Sequence, residues 1–206
     1  KNYAWVDKIV VMNYRFKTAE IIEDKTEAIV SLFDWEAIKT HPCVIFEKGE
    51  GLAQHEIFNR GMKLLEDCDI AFISDADEFI TREAMEDISK TMVEGSFGLG
   101  YARIIDYAFD YYHRFNNRHL NHALVAVNPK NTGFIKIRIA RSRGGSKYFE
   151  HKLHHFGFVL PPKTMKWKLQ WESKEERLDI VKGITQTEIV FADPPEAEIL
   201  KLLGEL

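Results

Sequence analysis

The chain has 206 residues, 45% hydrophobic and 29% charged, with a formal net charge of −4 and a pI of about 6.1. That length supports one α/β domain with a substantial core, and the acidic balance argues against nucleic acid as the main partner, because phosphate backbones are bound by net basic faces. Two cysteines, Cys43 and Cys68, imply neither a disulfide framework nor a cysteine-rich zinc site and fit a reducing cytoplasm; no apolar run reaches the roughly 18–20 residues of a membrane span, and the first residues lack a signal-peptide layout.

In chain order, Lys8 to Phe16 reads as a strand, being short, apolar and rich in β-branched and aromatic residues. Thr18 is placed to cap a helix with Ile21, Ile22, Ala28, Ile29, Leu32 and Phe33 at helical spacing. Cys43 to Phe46 predicts a second strand, closed by a turn at Gly49 and Gly51, and a helix is expected from about Leu52 to Glu66. Asp69 to Ser74 predicts a third strand that runs into Asp75-Ala76-Asp77-Glu78. Thr81 to Glu94 predicts a helix with the stripe Ala84, Met85, Ile88, Met92 and Val93, stopped by Gly95. This alternation of strand and helix is the signature of a parallel sheet covered by helices. The second half reads as strands at Leu99–Ala108, Ala123–Val127 and Phe134–Ala140, the last alternating Ile135, Ile137 and Ile139 with Lys136 and Arg138. Glu196 to Leu206 predicts a tail helix after Pro194-Pro195.

The acidic segment carries the chemistry. Asp75, Asp77 and Glu78 stand at the C-terminal end of an apolar strand, and in open α/β sheets ligands bind in the crevice outside such ends. Carboxylates two residues apart on extended chain point the same way and together suit a hard cation, which keeps positions for water and phosphate oxygens. The plain alternative is that these acids only cap a turn or the next helix. A calcium loop of the EF-hand type starting at Asp75 is excluded, because Phe79 and Ile80 stand where an oxygen ligand and glycine are required. A haloacid-dehalogenase-type phosphatase shares the Asp-x-Asp spelling, but Phe79 occupies its Thr/Val position and two βα units come first.

The stretch from Glu47 to Lys90 resembles glycosyltransferases of the GT-A fold, especially family 2-like members, with Gln54, Asn59, Gly61, Asp75, Asp77 and Glu78 at matching positions. The resemblance implies a single GT-A-like (Rossmann-like) α/β domain with a mixed, mostly parallel sheet flanked by helices. Its nucleotide-sugar-binding half would span residues 1–95, its acceptor half 96–190 and a tail 191–206. It implies that Asp77 coordinates Mn²⁺ or Mg²⁺, that Asp75 contacts the donor ribose or the metal through water, and that the helix bearing Gln54 and Asn59 flanks the nucleotide of a UDP- or GDP-sugar. A second match, His155-Phe156-Gly157-Phe158 after a basic strand, is similar to the family's His-Tyr-Gly-Tyr segment and makes His155 the third ligand, with His151 and His154 as competitors. Imidazole suits Mn²⁺ better than Mg²⁺. The chain departs from the family at its first strand, where Met12-Asn13-Tyr14-Arg15 replaces an Asn-Glu step and no clear Ser-x-Asp follows; Asn13 is the nucleotide-side candidate there.

An inverting transferase of this kind needs a carboxylate base at the acceptor hydroxyl, and Glu150 is placed for it, with Asp106 and Asp110 as alternatives. The expected reaction is hexose transfer to a hydroxyl of a glycan, protein or lipid, in the cytoplasm, with peripheral membrane contact allowed by the basic and aromatic residues from Lys163 to Arg177. The competing expectations are a non-catalytic sugar-nucleotide or glycan-binding scaffold of the same fold, and a metal-dependent phosphatase.

Overall fold

The computed structural model describes residues 6–16, 44–75, 77–108, 110, 112–115, 122–136, 138–159 and 189–191. The helix predicted after Thr18, the tail helix and the basic, aromatic stretch from Lys163 lie outside the described residues. The protein is mixed α/β and, among the described residues, mostly strand. It forms two compact units, Lys1–Ala71 with Asn128–Ser142, and Phe72–Val127 with Arg143–Leu206.

In the first unit, β1 (Ile9–Phe16) and β2 (Val44–Leu52) pair in parallel. The turn expected at Gly49 and Gly51 is not formed: β2 runs through both glycines. The ladder steps from Arg15↔Glu50 to Phe16↔Leu52, which leaves Gly51 as the extra residue of a bulge, a usual place for glycine in a strand. Helix α1 (Gln54–Leu64) follows, its first turn held by Glu56, whose carboxylate accepts from the Ala53 N–H at 2.7 Å. It turns Ile57, Gly61 and Met62 inward, with Gly61 facing Met12 of β1.

The segment predicted as one strand from Phe134 to Ala140 is a hairpin, β8 (Thr132–Lys136) and β9 (Ile139–Ser142). Arg138 adopts φ +49°, a left-handed conformation that ends a strand. Phe134 packs on Phe58 of α1 with ring centroids 5.0 Å apart. That fixes the inward face on Phe134 and turns Ile135 and Ile139 outward, against the inward stripe expected of them; Ile137 lies outside the described residues.

The second unit is a mixed sheet. Its strands are β4 (Glu78–Phe79), β5 (Leu99–Ala108), β6 (His113–Phe115), β7 (His122–Val127), β10 (Ser146–Phe158) and β11 (Ile189–Phe191), and β3 (Ala71–Phe72) pairs with β7. Among the described residues β5–β10 is parallel, whereas β10–β4, β5–β7, β5–β6 and β6–β11 are antiparallel. The mostly parallel sheet expected from the sequence is therefore corrected. Short links such as 109–112 cannot carry a crossover and return the chain antiparallel.

Helix α2 (Arg82–Glu94) covers this sheet on β5 and β10. Thr81 caps it, its Oγ1 accepting from the Ala84 N–H at 3.3 Å. At its other end Ser96, at φ +52°, and not Gly95 takes the left-handed position, with Ser96 N–H on Val93 O and Phe97 N–H on Met92 O. Ala84, Ile88 and Met92 are buried, and Gly100 on β5 makes room for the Met92 sulfur.

The turn from Ser96 to Leu99 is clamped from below. Gly98 and Leu99 both donate to Gly145 O at 3.1 Å, and a Cβ on Gly144 would lie 2.6 Å from Gly98 N and Ser96 O. Because both neighbours are backbone, Gly144→Ala should destabilise the fold by about 1–3 kcal/mol, measured as a lowered urea midpoint at unchanged m-value.

Candidate functional site

The acidic motif begins where β3 ends. Ile73 N–H still donates to Val125 O at 2.9 Å, and the chain then turns over residues 74–78. Glu78, buried at the start of β4, locks that turn: its carboxylate accepts from Asp75 N–H at 3.0 Å while its own N–H donates to Asp75 O at 3.1 Å. Ser74 Oγ lies 3.0 Å from the carbonyls of both Asp75 and Glu78 and can donate to either. Glu78 is thus a structural member of the motif. Phe156 N–H donates to Asp77 O at 2.8 Å and ties the loop to β10.

Strand β10 brings His155 beside the motif and beside β5. In the parallel ladder His155 is the register partner of Asp106, and its Nδ1 lies 2.6 Å from Asp106 Oδ1. Its Nε2 lies 3.6 Å from Asp77 Oδ2. The side chains grade outward, from Asp106 at 11% exposed through His155 at 18% to Asp77 at 41%. One imidazole therefore spans an inner and an outer carboxylate. On the opposite face of β5 and β10, Tyr107 stacks on Phe156 at 4.8 Å, and Phe79 meets Phe156 edge-on at 5.6 Å.

The two competing histidines go elsewhere. His154 is buried on the other side of β10, its Nδ1 2.9 Å from Tyr107 Oη, and His151 Nε2 pairs with Asp87 of α2 at 2.8 Å. Asp110 is taken up by its own turn: Oδ1 accepts from the N–H groups of Tyr112 and His113, and the carboxylate meets His113 Nδ1 at 2.8 Å. Glu150 is exposed and lies in a β10 bulge, since Phe149 pairs with Ala102 and Lys152 with Arg103, leaving residues 150 and 151 outside the ladder. Along the strand it stands roughly 15 Å from His155.

The nucleotide-side candidates belong to the first unit, whereas Asp75, Asp77 and His155 belong to the second. Asn59 uses its side-chain amide on the hairpin, donating to Phe134 O at 2.9 Å and accepting from Phe134 N–H at 2.7 Å. Gln54 opens α1, and Asn13 is paired with Lys48 in the β1–β2 ladder.

Burial of His155 disfavours its charged form, but the hydrogen bonds and charges of Asp106 and Asp77 outweigh that and raise its pKa from 6.5 to about 9. A group whose folded pKa lies above its unfolded one stabilises fully below the unfolded value and stops doing so as pH rises through the folded value. The metal-free protein should therefore lose up to about 3 kcal/mol between pH 6.5 and pH 9, and His155→Gln should flatten that slope. Urea unfolding at pH 6, 7.5 and 9.5 measures it.

Among the described residues, no group of three or more His, Cys, Asp and Glu forms a metal cluster. The donor chemistry of the pair Asp77 and His155 nonetheless fits a divalent ion. Ligands of one ion with bonds of about 2.0–2.2 Å stand roughly 3.0–3.5 Å apart, close to the 3.6 Å seen here. A carboxylate on the far ring nitrogen is the usual partner of a ligating histidine, and Asp106 supplies it. That role was not legible in the sequence, where Asp106 stood as a candidate base; only the register of β5 against β10 pairs residues 49 apart. No family model matches this chain, and no curated protein matches it significantly. No helix among the described residues is long and apolar enough to cross a membrane.

Proposed function

We propose that this protein is a metal-dependent glycosyltransferase of the GT-A type, moving a hexose from a UDP- or GDP-sugar to a hydroxyl acceptor. The observation that carries the reading is the row Asp106–His155–Asp77 at the acidic strand end, with Nδ1 held at 2.6 Å and Nε2 facing Asp77. On this reading Asp77 and His155 hold Mn²⁺ or Mg²⁺, and Asp75 meets the donor ribose or a metal-bound water. The ion, when bound, neutralises the diphosphate leaving group. Asp106 fixes the ring and its tautomer, so that Nε2 is the ligating nitrogen. Glu78 and Ser74 keep the loop that presents Asp75 and Asp77 in one shape. Of the three candidate bases, Asp106 and Asp110 are engaged by histidines, and Glu150 stands roughly 15 Å along β10 from His155. Cytoplasmic placement and inversion at the anomeric carbon complete the proposal.

A binding-only scaffold of the same fold draws support from that engagement of two of the three carboxylates. Titration calorimetry with UDP- and GDP-sugars, with and without Mn²⁺, tests the binding that both readings share; binding that is equal without metal overturns it. Slow metal-dependent hydrolysis of the donor in the absence of acceptor separates enzyme from scaffold.

A further inference from the structure

The hairpin β8–β9 presents a surface that the proposed reaction does not use. Its inner side is closed by Phe134 against Phe58 and by the Asn59 amide bonds to the Phe134 backbone. Its outer side carries Ile135 and Ile139, exposed at 46% and 52%, on either side of the turn at Arg138. Lys136 and Arg141 are exposed beside them, Lys136 opposite Ile139 and Arg141 opposite Gly133. The charge of the hairpin segment departs from that of the chain. Four Lys and Arg and no Asp or Glu occur from Asn128 to Ser142, in a protein whose net charge is −4.

Two large aliphatic side chains held outward beside a turn cost free energy in water and gain it in a hydrocarbon boundary. Cations set among them are drawn to an anionic surface, each worth roughly a fivefold gain in partitioning. We infer that the β8–β9 hairpin docks the protein on an anionic lipid bilayer, with Ile135 and Ile139 entering the headgroup–acyl boundary and Lys136 and Arg141 meeting lipid phosphates. A nucleic acid or another polyanion would use the cations but gain nothing from the isoleucines, whereas an anionic bilayer uses both. This inference does not depend on the transferase reading, since none of its residues belongs to the Asp77–His155 row.

The test is flotation of the full chain with vesicles of phosphatidylcholine alone and of phosphatidylcholine with 30% phosphatidylserine, at low and high salt. The expected result is binding to the anionic vesicles that weakens with salt. Lys136→Gln with Arg141→Gln should lower it roughly 25-fold, and Ile135→Ser with Ile139→Ser at least tenfold. All four side chains are exposed, so thermal midpoints of both double variants should match the parent and exclude misfolding. Absence of binding to anionic vesicles overturns the inference. So does binding that is indifferent to the isoleucine pair, or heparin binding that follows the cations while vesicle binding does not.

Discussion

Asp77→Asn is expected, on the proposed reading, to weaken Mn²⁺-dependent binding of a UDP- or GDP-sugar at least 100-fold. Asp77 is the outer carboxylate of the row and is 41% exposed, so neutralising it removes the proposed metal ligand without deleting a buried side chain. Asparagine keeps the size of the side chain, yet its amide is a much poorer ligand for a hard cation than a carboxylate. The matched control is Asp87→Asn. That residue also pairs with a histidine, His151 at 2.8 Å, but on α2, and its loss should leave donor binding unchanged. Calorimetry on the parent and both variants measures the contrast; an Asp77→Asn protein that binds donor and Mn²⁺ like the parent removes the metal from the proposal.

The second large effect is on stability. Ile88 is fully buried on α2, between Ala84 and Met92 and facing the sheet of the second unit. Ile88→Ala deletes three carbon atoms from a close-packed interior, and surrounding backbone in a helix and a sheet can relax only in part. The expected loss is about 2–5 kcal/mol, which for a chain of this size lowers the thermal midpoint by roughly 5–15 °C. Val93 in the same predicted stripe is 52% exposed, and Val93→Ala should cost under about 0.5 kcal/mol. Differential scanning calorimetry of the two variants distinguishes a core position from a surface one on the same helix.

The contrast between Ile88 and Val93 shows where the sequence was readable. Helix α2 was legible because its cap, its spacing and its stop agree with one another, and Leu99–Ala108 because a long apolar run has one natural reading. The bulge at Gly51 was not legible, since a glycine in a strand and a glycine in a turn look alike until the ladder is seen. Nor was the hairpin at Arg138: a period of two predicts a strand equally well whether the chain continues or doubles back. For the site, placement of Asp75 and Asp77 after an apolar strand was readable from local pattern. The choice among His151, His154 and His155 was not a local matter. It depends on which face of β10 meets β5 and β4, and pairing across 49 residues leaves no mark in a single sequence.

The bulge that holds Glu150 also separates two constraints on β10. Upstream, Phe149 is anchored to Ala102; downstream, Lys152 restarts the ladder at Arg103 and carries His155 to Asp106. Residues 150 and 151 act as slack between these anchor points. A change of side chain there alters the edge of the strand without sliding the imidazole along its neighbour, so the row at 77, 106 and 155 keeps its spacing.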